Sequence, residues 1–408
     1  AATPGEISDG SEAIDLGQSP GDIVILSFAD SELASFSSAN AEINEGSPSL
    51  RLANLLDLGH NMSVDLYVEK VIVFAKLVIV RLLGGRAYWS YGVEQISLEC
   101  SRKNIPFAFL PGDDQPDPEL ESLSTLDSEA CHRLWQYCVH GGRENSRQFL
   151  NFASYILDKK TNWLEPRPLL RSSLYKRGCE GAKIEEIRAD WVEGQPTVAV
   201  IFYRALVQGS NVKAVDALID GLLMVGLNPL PVFVTSLKDP VAAAILEKII
   251  TDEAPDVILN STGFAISSPG ESHTASPLNA TGAVILQVVF SSSDFETWNS
   301  NLHGLSARDI AMNVALPEVD GHVLSRAVSF KGAAYWDRKT ESNIISYEPV
   351  PDRIDFVCQL AANWASLLRL EKFDRNIAMI LANYPNRDGR IGNGVGLDTP
   401  EGVITVLK

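Results

Sequence analysis

The stretch Lys76-Leu-Val-Ile-Val-Arg-Leu-Leu-Gly-Gly85 decides the fold class of the first part of the chain. A short apolar run closed by two glycines is typical of a buried strand that ends in a tight loop. A helical period follows over residues 88–103, and a second apolar run over 105–110 ends at Pro111-Gly112. This order of strand, loop and helix predicts a parallel sheet covered on both faces.

The same alternation recurs along the rest of the chain. We predict strands over residues 22–27, 76–83, 105–110, 197–203, 230–235, 256–260, 284–290 and 375–383. We predict a first helix after the N-cap Ser31 and a second after the N-cap Ser63 that runs through Tyr67 to Phe74. Further helices are predicted over 88–103, 128–140, 145–158, 212–225, 240–250 and 354–370. The fold class is therefore α/β, with two doubly wound (Rossmann-like) parallel-sheet domains plus the start of a further domain.

A domain boundary is expected where two prolines interrupt any helix, in Trp163-Leu-Glu-Pro-Arg-Pro-Leu-Leu170. The predicted domains are an N-terminal α/β head over residues 1–165 and a second α/β domain over 166–372. Residues 373–408 then supply a strand, a glycine-rich loop and a helix that begin a further domain.

Composition excludes several classes of function. The 408 residues are 45% apolar and 21% charged, which is ordinary for a globular protein. A formal charge of −18 argues against a general nucleic-acid binder and against docking on anionic membranes. The five cysteines are scattered and odd in number, the first twenty residues lack an apolar core, and the strongest apolar stretch is too short to span a bilayer. We therefore expect a cytoplasmic protein with no nucleic-acid or membrane partner.

Candidate site residues lie just past the predicted strand ends, where a doubly wound sheet forms its ligand crevice. Each of them is equally suited to capping a helix or closing a turn. These residues are Arg204, Asn260, Thr262, Glu318, Asp320 and Asn383.

The glycine-rich segment 383–398 leads into Thr399-Pro400-Glu401, which has the sequence of a helix start. Its glycines, at 389, 392, 394 and 396, match neither G-x-G-x-x-G nor the P-loop. A nucleotide cradle, a tight structural loop and a pocket for a carboxylate-rich ligand remain open.

No spacing of ligands assigns a metal site. Cys131, His132, Cys138 and His140 cluster without a zinc-binding pattern, and two of them lie seven residues apart as core residues do. His303 and His322 flank Glu318 and Asp320, a set whose chemistry suits a divalent metal or the removal of protons. Because spacing does not show that they converge, we assign neither metal ligands nor catalytic residues.

Longer motifs resemble a known family. The segment 383–400 closely resembles the large subunit of the aerobic, ATP-dependent cobaltochelatase of the CobN type. So does Gly304-Leu-Ser-Ala-Arg-Asp-Ile-Ala-Met-Asn-Val-Ala-Leu-Pro-Glu-Val-Asp-Gly321. Shorter matches lie at 14–20, 110–114, 168–175, 349–353 and 361–364, so that the resemblance covers essentially the whole chain. The family includes the large subunit of magnesium chelatase, but these motifs are more similar to the cobalt branch.

The resemblance implies a subunit that binds hydrogenobyrinic acid a,c-diamide and inserts Co2+, its substrate metal, as a ligase that forms metal–nitrogen bonds. An AAA+ ATPase subunit and its companion would supply ATP hydrolysis. As a hypothesis about the residues themselves, carboxylates of the corrin would meet Arg204, Arg387 and the N–H groups of the glycine-rich loop. The full candidate set for substrate binding is Arg204, Asn260, Thr262, Glu318, Asp320, Asn383, Arg387, Asp388 and Asn393.

Two departures from the family limit what is expected of this chain. Family members are about three times longer, and residues 1–6 do not form the apolar strand with which they usually begin. We therefore interpret the chain as an N-terminal fragment or truncated relative and expect this piece alone to be inactive as a chelatase. The alternatives are a non-catalytic module that binds a tetrapyrrole or docks the partner subunits, and a magnesium-chelatase relative.

Overall fold

Two sheets of mainly parallel strands form the frame of the protein. The computed structural model describes residues 13–43, 46–267, 276–332, 335–381 and 398–408. Internal contacts divide the chain into two units, Ala1–Ala365 and Ser366–Lys408, and both sheets belong to the first. Within the described ranges, no helix has both the length and the apolarity that a membrane crossing requires.

The first sheet has four parallel strands. Its elements are β1 (Ile23–Ser27), α1 (Asp30–Glu42), β2 (Leu50–Asn54), α2 (Asn61–Lys70), β3 (Leu77–Leu82), α3 (Ser90–Lys103), β4 (Phe107–Pro111), α4 (Pro118–Leu123), α5 (Ser128–His140) and α6 (Gly142–Asp158). The strand order is β2-β1-β3-β4. Alternate side chains enter opposite layers, so that Val24 packs under α2 and α3 while Ile25 packs under α1, α5 and α6.

The second sheet has eight strands. They are β5 (Ser172–Lys176), β6 (Cys179–Ala182), β7 (Thr197–Tyr203), β8 (Asn228–Val234), β9 (Val257–Asn260), β10 (Val284–Asp294), β11 (Val323–Lys331) and β14 (Tyr347–Pro349), while β12 (Tyr335–Asp337) and β13 (Ser342–Ile344) form a separate pair. The strand order is β14-β11-β10-β9-β7-β8-β5-β6. The five strands from β11 to β8 are parallel, and antiparallel strands flank them, β14 on one side and β5 and β6 on the other.

Helices cover both faces of the second sheet. The helices that follow α6 are α7 (Ile184–Arg188), α8 (Arg204–Gln208), α9 (Lys213–Met224), α10 (Pro240–Glu253), α11 (Phe295–Ser300), α12 (Ala307–Ile310), α13 (Leu316–Val319), α14 (Pro351–Arg369) and, in the second unit, α15 (Thr399–Leu407). The buried residues of the long helix α14 share one helical face, and this face packs with α9 on one side of the sheet; they are Ile354, Val357, Cys358, Ala361 and Ala365. Helix α10 covers the other side.

The chain returns from the second sheet to the first through the turn between β12 and β13. Glu341 in that turn pairs with Arg51 of β2, with 2.9 Å between guanidinium nitrogen and carboxylate oxygen. Gln18 donates from Nε2 both to the Leu52 carbonyl, at 2.7 Å, and to the Glu341 carbonyl, at 2.6 Å. These polar contacts tie a segment more than 280 residues distant to the first sheet.

The predicted α/β class with parallel sheets is confirmed, and β7 begins and ends at the predicted residues. The strand predicted over 375–383 is wrong for its described part, because residues 375–381 are mostly exposed and pair with no strand there. Its last two residues lie outside the described ranges.

Helix starts are displaced from their predicted caps. α1 begins at Asp30 after Ala29, one residue before the predicted cap Ser31. His60 rather than Ser63 caps α2, its Nδ1 accepting from the Met62 N–H at 3.1 Å. The division into domains at 165 and 372 stays a prediction.

Candidate functional site

The second sheet has a crevice where its strand order reverses. Successive strands leave β7 in opposite directions, to β8 on one side and β9 on the other. In doubly wound sheets such a switch point, at the carboxyl ends of the strands, is where ligands bind. Here those ends are Tyr203, Val234 and Asn260.

A buried network of amides forms the floor of this crevice. Asn260 is 0% exposed and donates from Nδ2 to Gln287 Oε1 at 2.9 Å. Its Oδ1 accepts from the Thr262 hydroxyl at 2.9 Å, and Gln287 Nε2 donates to the Thr262 carbonyl at 2.9 Å. Both predicted residues therefore lie at the crevice. Their polar groups are engaged with each other and with Gln287, so this network holds the shape of the floor, and a contact of either residue with a ligand stays a prediction.

His322 belongs to the same network. Its Nδ1 lies 3.1 Å from Gln287 Oε1, the oxygen that also accepts from Asn260. Because that oxygen can only accept, Nδ1 carries the proton and Nε2 keeps a free lone pair. Nε2 is buried and has no hydrogen-bond partner among the described residues. Burial holds the pKa of His322 below its ordinary value of 6.5, so the folded protein keeps this imidazole neutral.

This burial predicts a loss of stability in mild acid. Below the unfolded pKa of 6.5, the unfolded chain gains a proton at His322 that the folded chain does not bind. The free energy of unfolding should therefore decrease as the pH is lowered, by at most about 1.4 kcal/mol per pH unit for this group. We expect His322→Asn to reduce this slope in urea denaturation between about pH 7.5 and pH 5.5.

The matched control is His303→Asn, since that histidine is exposed. It should leave the pH slope unchanged. Burial also lowers the pKa of His140, so this residue should contribute a part of the pH slope that remains in both variants. An identical slope in wild type and His322→Asn would contradict the prediction.

The loop after β9, residues 263–267, is fixed by hydrogen bonds to its backbone. The Gly263 N–H donates to the Tyr203 hydroxyl at 3.0 Å, and the Phe264 N–H donates to the Met312 carbonyl at 3.0 Å. Asp320, 4% exposed, accepts from the N–H groups of Ile266 and Ser267 at 2.6 and 2.9 Å. The predicted residue Asp320 thus positions the loop of the crevice.

A π-helical turn over Ala311–Ala315 joins α12 to α13 and lies against the same loop. A Cβ on Gly263 would stand 2.9 Å from the Met312 carbonyl oxygen and 3.0 Å from Asn313 Oδ1. Only glycine therefore allows the loop to approach the turn this closely. The segment 304–321, which carries the family resemblance, supports the crevice loop from one side.

The remaining predicted residues have different surroundings. Arg204 is half-buried and donates to the carbonyls of Leu169 and Leu170, each at 3.0 Å, so it holds the segment that enters the second sheet. Burial lowers the pKa of its guanidinium. Glu318 and His303 are exposed, whereas Asp320 and His322 are buried. The four side chains considered for metal or proton transfer therefore do not share one environment.

Four predicted residues fall outside the described ranges: Asn383, Arg387, Asp388 and Asn393. Within those ranges, no three or more His, Cys, Asp or Glu side chains form a group that could hold a metal ion.

The open part of the crevice was not predicted. One cleft of about 290 Å³ lies between the loops that follow β8 and β9, and a second of about 390 Å³ adjoins it beside α10. Phe264 and Lys238 stand at the first cleft, and neither carries a sequence pattern that marks it as functional. Its lining residues are Ser236, Leu237, Lys238, Gly263, Phe264, Ala265 and Ile266.

Fold and crevice together define an α/β protein with a candidate ligand crevice at the carboxyl edge of a doubly wound sheet. Residues 135–408 match the family model described as CobN/Magnesium Chelatase. The chain belongs to this family, which confirms the resemblance in its sequence.

The curated relatives include aerobic cobaltochelatase subunits CobN. That of a Sinorhizobium species is 47% identical over 100% of this chain and 32% of its own length. That of Pseudomonas aeruginosa is 42% identical over 96% of this chain and 31% of its own length. The chain thus spans about a third of the length of these relatives. A magnesium-chelatase subunit of Rhodobacter capsulatus is more distant, 23% identical over 52% of this chain and 18% of its own length.

A solved structure has the same fold. The catalytic subunit of cobaltochelatase from Mycobacterium tuberculosis superimposes with a TM-score of 0.72 and 27% identity. The match covers 94% of this chain and 30% of that one. Both sheets of this chain therefore correspond to part of a longer catalytic subunit.

Proposed function

We propose that the chain is part of the tetrapyrrole-binding large subunit of an aerobic cobaltochelatase. The observation that carries this proposal is 47% identity to a CobN subunit along 100% of the chain. The reaction would be insertion of Co2+ into hydrogenobyrinic acid a,c-diamide, with ATP hydrolysed by an AAA+ subunit and its companion. The metal and the corrin are substrates, and the bond formed is between cobalt and nitrogen.

The part of the reaction assigned to these residues is binding and positioning. Insertion requires that the ring nitrogens lose protons as the metal enters. Among the described polar groups of the crevice, Asn260, Thr262 and Asp320 are occupied by hydrogen bonds within the protein. Among the described residues of the crevice, His322 differs in that its buried Nε2 has no hydrogen-bond partner. We therefore propose that the crevice loop, residues 263–267, and the hydrogen-bonded residues that support it form a rigid wall of the substrate site.

A non-catalytic tetrapyrrole-binding module is the second candidate. It is favoured by the same engagement of Asn260, Thr262 and Asp320, which leaves them few means to act on a substrate. The magnesium branch is less favoured, because its subunits match about half of the chain at lower identity. Roles for Asn383, Arg387, Asp388 and Asn393 remain predictions.

Location and partners belong to the same proposal. The five cysteines are free, which suits the reducing cytoplasm predicted from the sequence. Docking of an ATPase subunit is proposed from the family alone, and no surface is assigned to it.

The test is a fluorescence-quench titration of the 408-residue chain, whose seven tryptophans are the reporters. Hydrogenobyrinic acid a,c-diamide should quench saturably with a micromolar or lower Kd, and protoporphyrin IX should bind more weakly. Tighter binding of the porphyrin would favour the magnesium branch. No saturable binding by a chain that circular dichroism shows to be folded would contradict a substrate site in these residues.

A further inference from the structure

Phe264 has a backbone conformation that disfavours its side chain. Its φ is +67°, in the left-handed region that bulky residues rarely adopt. The residue is 53% exposed, so burial in the core does not compensate for the strain. Strained residues of this kind concentrate at ligand sites, where the surrounding structure enforces the conformation. Here the Phe264 N–H is held by the Met312 carbonyl at 3.0 Å.

The neighbouring side chain on the other wall is a lysine. Lys238 is exposed and is the single charged residue among the described residues that line the cleft of about 290 Å³. No ion pair of the described residues includes Lys238. Asp239, next to it, is engaged by Arg171 at 3.0 Å and caps α10 through the N–H groups of Val241 and Ala242. The carboxylate closest in sequence therefore has other partners, and the ammonium remains available.

The aromatic ring is also presented on a rigid support. Hydrogen bonds fix the loop on both sides of Phe264, to Tyr203 at Gly263 and to Asp320 at Ile266. A prearranged loop loses little conformational entropy when a ligand binds. The loop is thus suited to holding the flat ring of Phe264 in one orientation.

We propose that Phe264 and Lys238 form a subsite for a planar, conjugated ligand that carries carboxylates. The Phe264 ring stacks on one face of the ligand, and the Lys238 ammonium binds one carboxylate at its edge. A cleft of about 290 Å³ accepts one edge of a large macrocycle rather than the whole. On a chain with a formal charge of −18, a local cation is needed to hold an anionic group. The identity of the ligand rests on the proposed function.

The test repeats the tryptophan-quench titration with hydrogenobyrinic acid a,c-diamide on variants of the same chain. Phe264→Leu should raise the Kd roughly three- to tenfold, the loss expected for one aromatic stack. Lys238→Gln should raise it about threefold and make the Kd less sensitive to salt. The matched controls are Phe74→Leu and Lys103→Gln, which remove an exposed ring and an exposed ammonium from the first sheet region. These two should leave the Kd unchanged.

A second variant separates ligand binding from folding. Glycine adopts positive φ without strain, so Phe264→Gly should raise the urea midpoint of unfolding while it weakens binding at least as much as Phe264→Leu. Wild-type affinity in Phe264→Leu and Phe264→Gly would overturn the subsite and leave the proposed function standing. Absence of saturable binding by the unaltered chain would overturn both.

Discussion

Replacing Arg81 with methionine is expected to lower the free energy of unfolding by about 3–5 kcal/mol. The Arg81 side chain is 3% exposed at the end of β3, and its guanidinium lies 2.6 Å from Glu32 Oε1 of α1. It also donates to the carbonyls of Pro111 and Gly112 at the end of β4. Methionine fills a similar volume but takes the guanidinium away from the Glu32 carboxylate, which keeps the Ser27 hydroxyl as a donor, and from these two carbonyl acceptors.

The control for this prediction is an exposed ion pair of equal length. Arg102 and Glu99 on α3 are also 2.6 Å apart, but the Arg102 side chain is 66% exposed. Arg102→Met should cost less than about 1 kcal/mol, because water already screens that pair and solvates its partner. Urea denaturation of both variants gives the comparison. Equal losses in the two variants would show that burial does not determine how much the Arg81–Glu32 ion pair contributes to the free energy of unfolding.

The sequence predicts those elements whose burial is continuous. β7 and β8 are flanked by sheet and covered by helices on both faces, so their strands are unbroken apolar runs. Helix α10 begins at the predicted residue because Asp239 and Pro240 are local signals of a helix start. Such elements depend on near neighbours, and their patterns can be recognised without knowledge of the fold.

Elements that depend on distant partners were missed. β2 contains Arg51, which interrupts its apolar run and is stabilised by Glu341 almost 300 residues away. The edge strand β14 and the antiparallel strand β5, which lies next to the opposite edge, are short and only partly buried, which removes the apolar pattern of a central strand. No local pattern predicts the π-helical turn either, since the turn is held against Gly263 of another loop.

In the candidate site, too, some features follow from local sequence and others depend on distant residues. Position at strand ends led to Asn260, Thr262 and Asp320, and the structure brings all three to the crevice. Their role as supports depends on hydrogen bonds to residues 25 to 54 positions away, which spacing does not reveal. Phe264 could not be predicted, because a positive φ at a bulky residue has no sequence pattern.

Asp320→Ala is expected to lower the free energy of unfolding by about 2–4 kcal/mol. Each of its carboxylate oxygens accepts one backbone N–H, from Ile266 at 2.6 Å and from Ser267 at 2.9 Å. Alanine would leave both donors without this acceptor in a buried place. Urea denaturation measures the loss. Hydrogen exchange should show faster exchange at the amides of residues 264–267 before the rest of the sheet is affected.

Glu318→Ala is the matched control for this substitution. It removes one negative charge from the same segment without removing the two hydrogen bonds to the loop. Glu318 lies two residues earlier and carries the same charge, but it is exposed. Its replacement should change stability by less than about 0.5 kcal/mol. A comparable loss from both variants would mean that the negative charge of this segment matters, rather than the two hydrogen bonds to the loop. A loss confined to Asp320→Ala, with weaker quenching by hydrogenobyrinic acid a,c-diamide, would instead connect the order of the loop to the proposed binding of substrate.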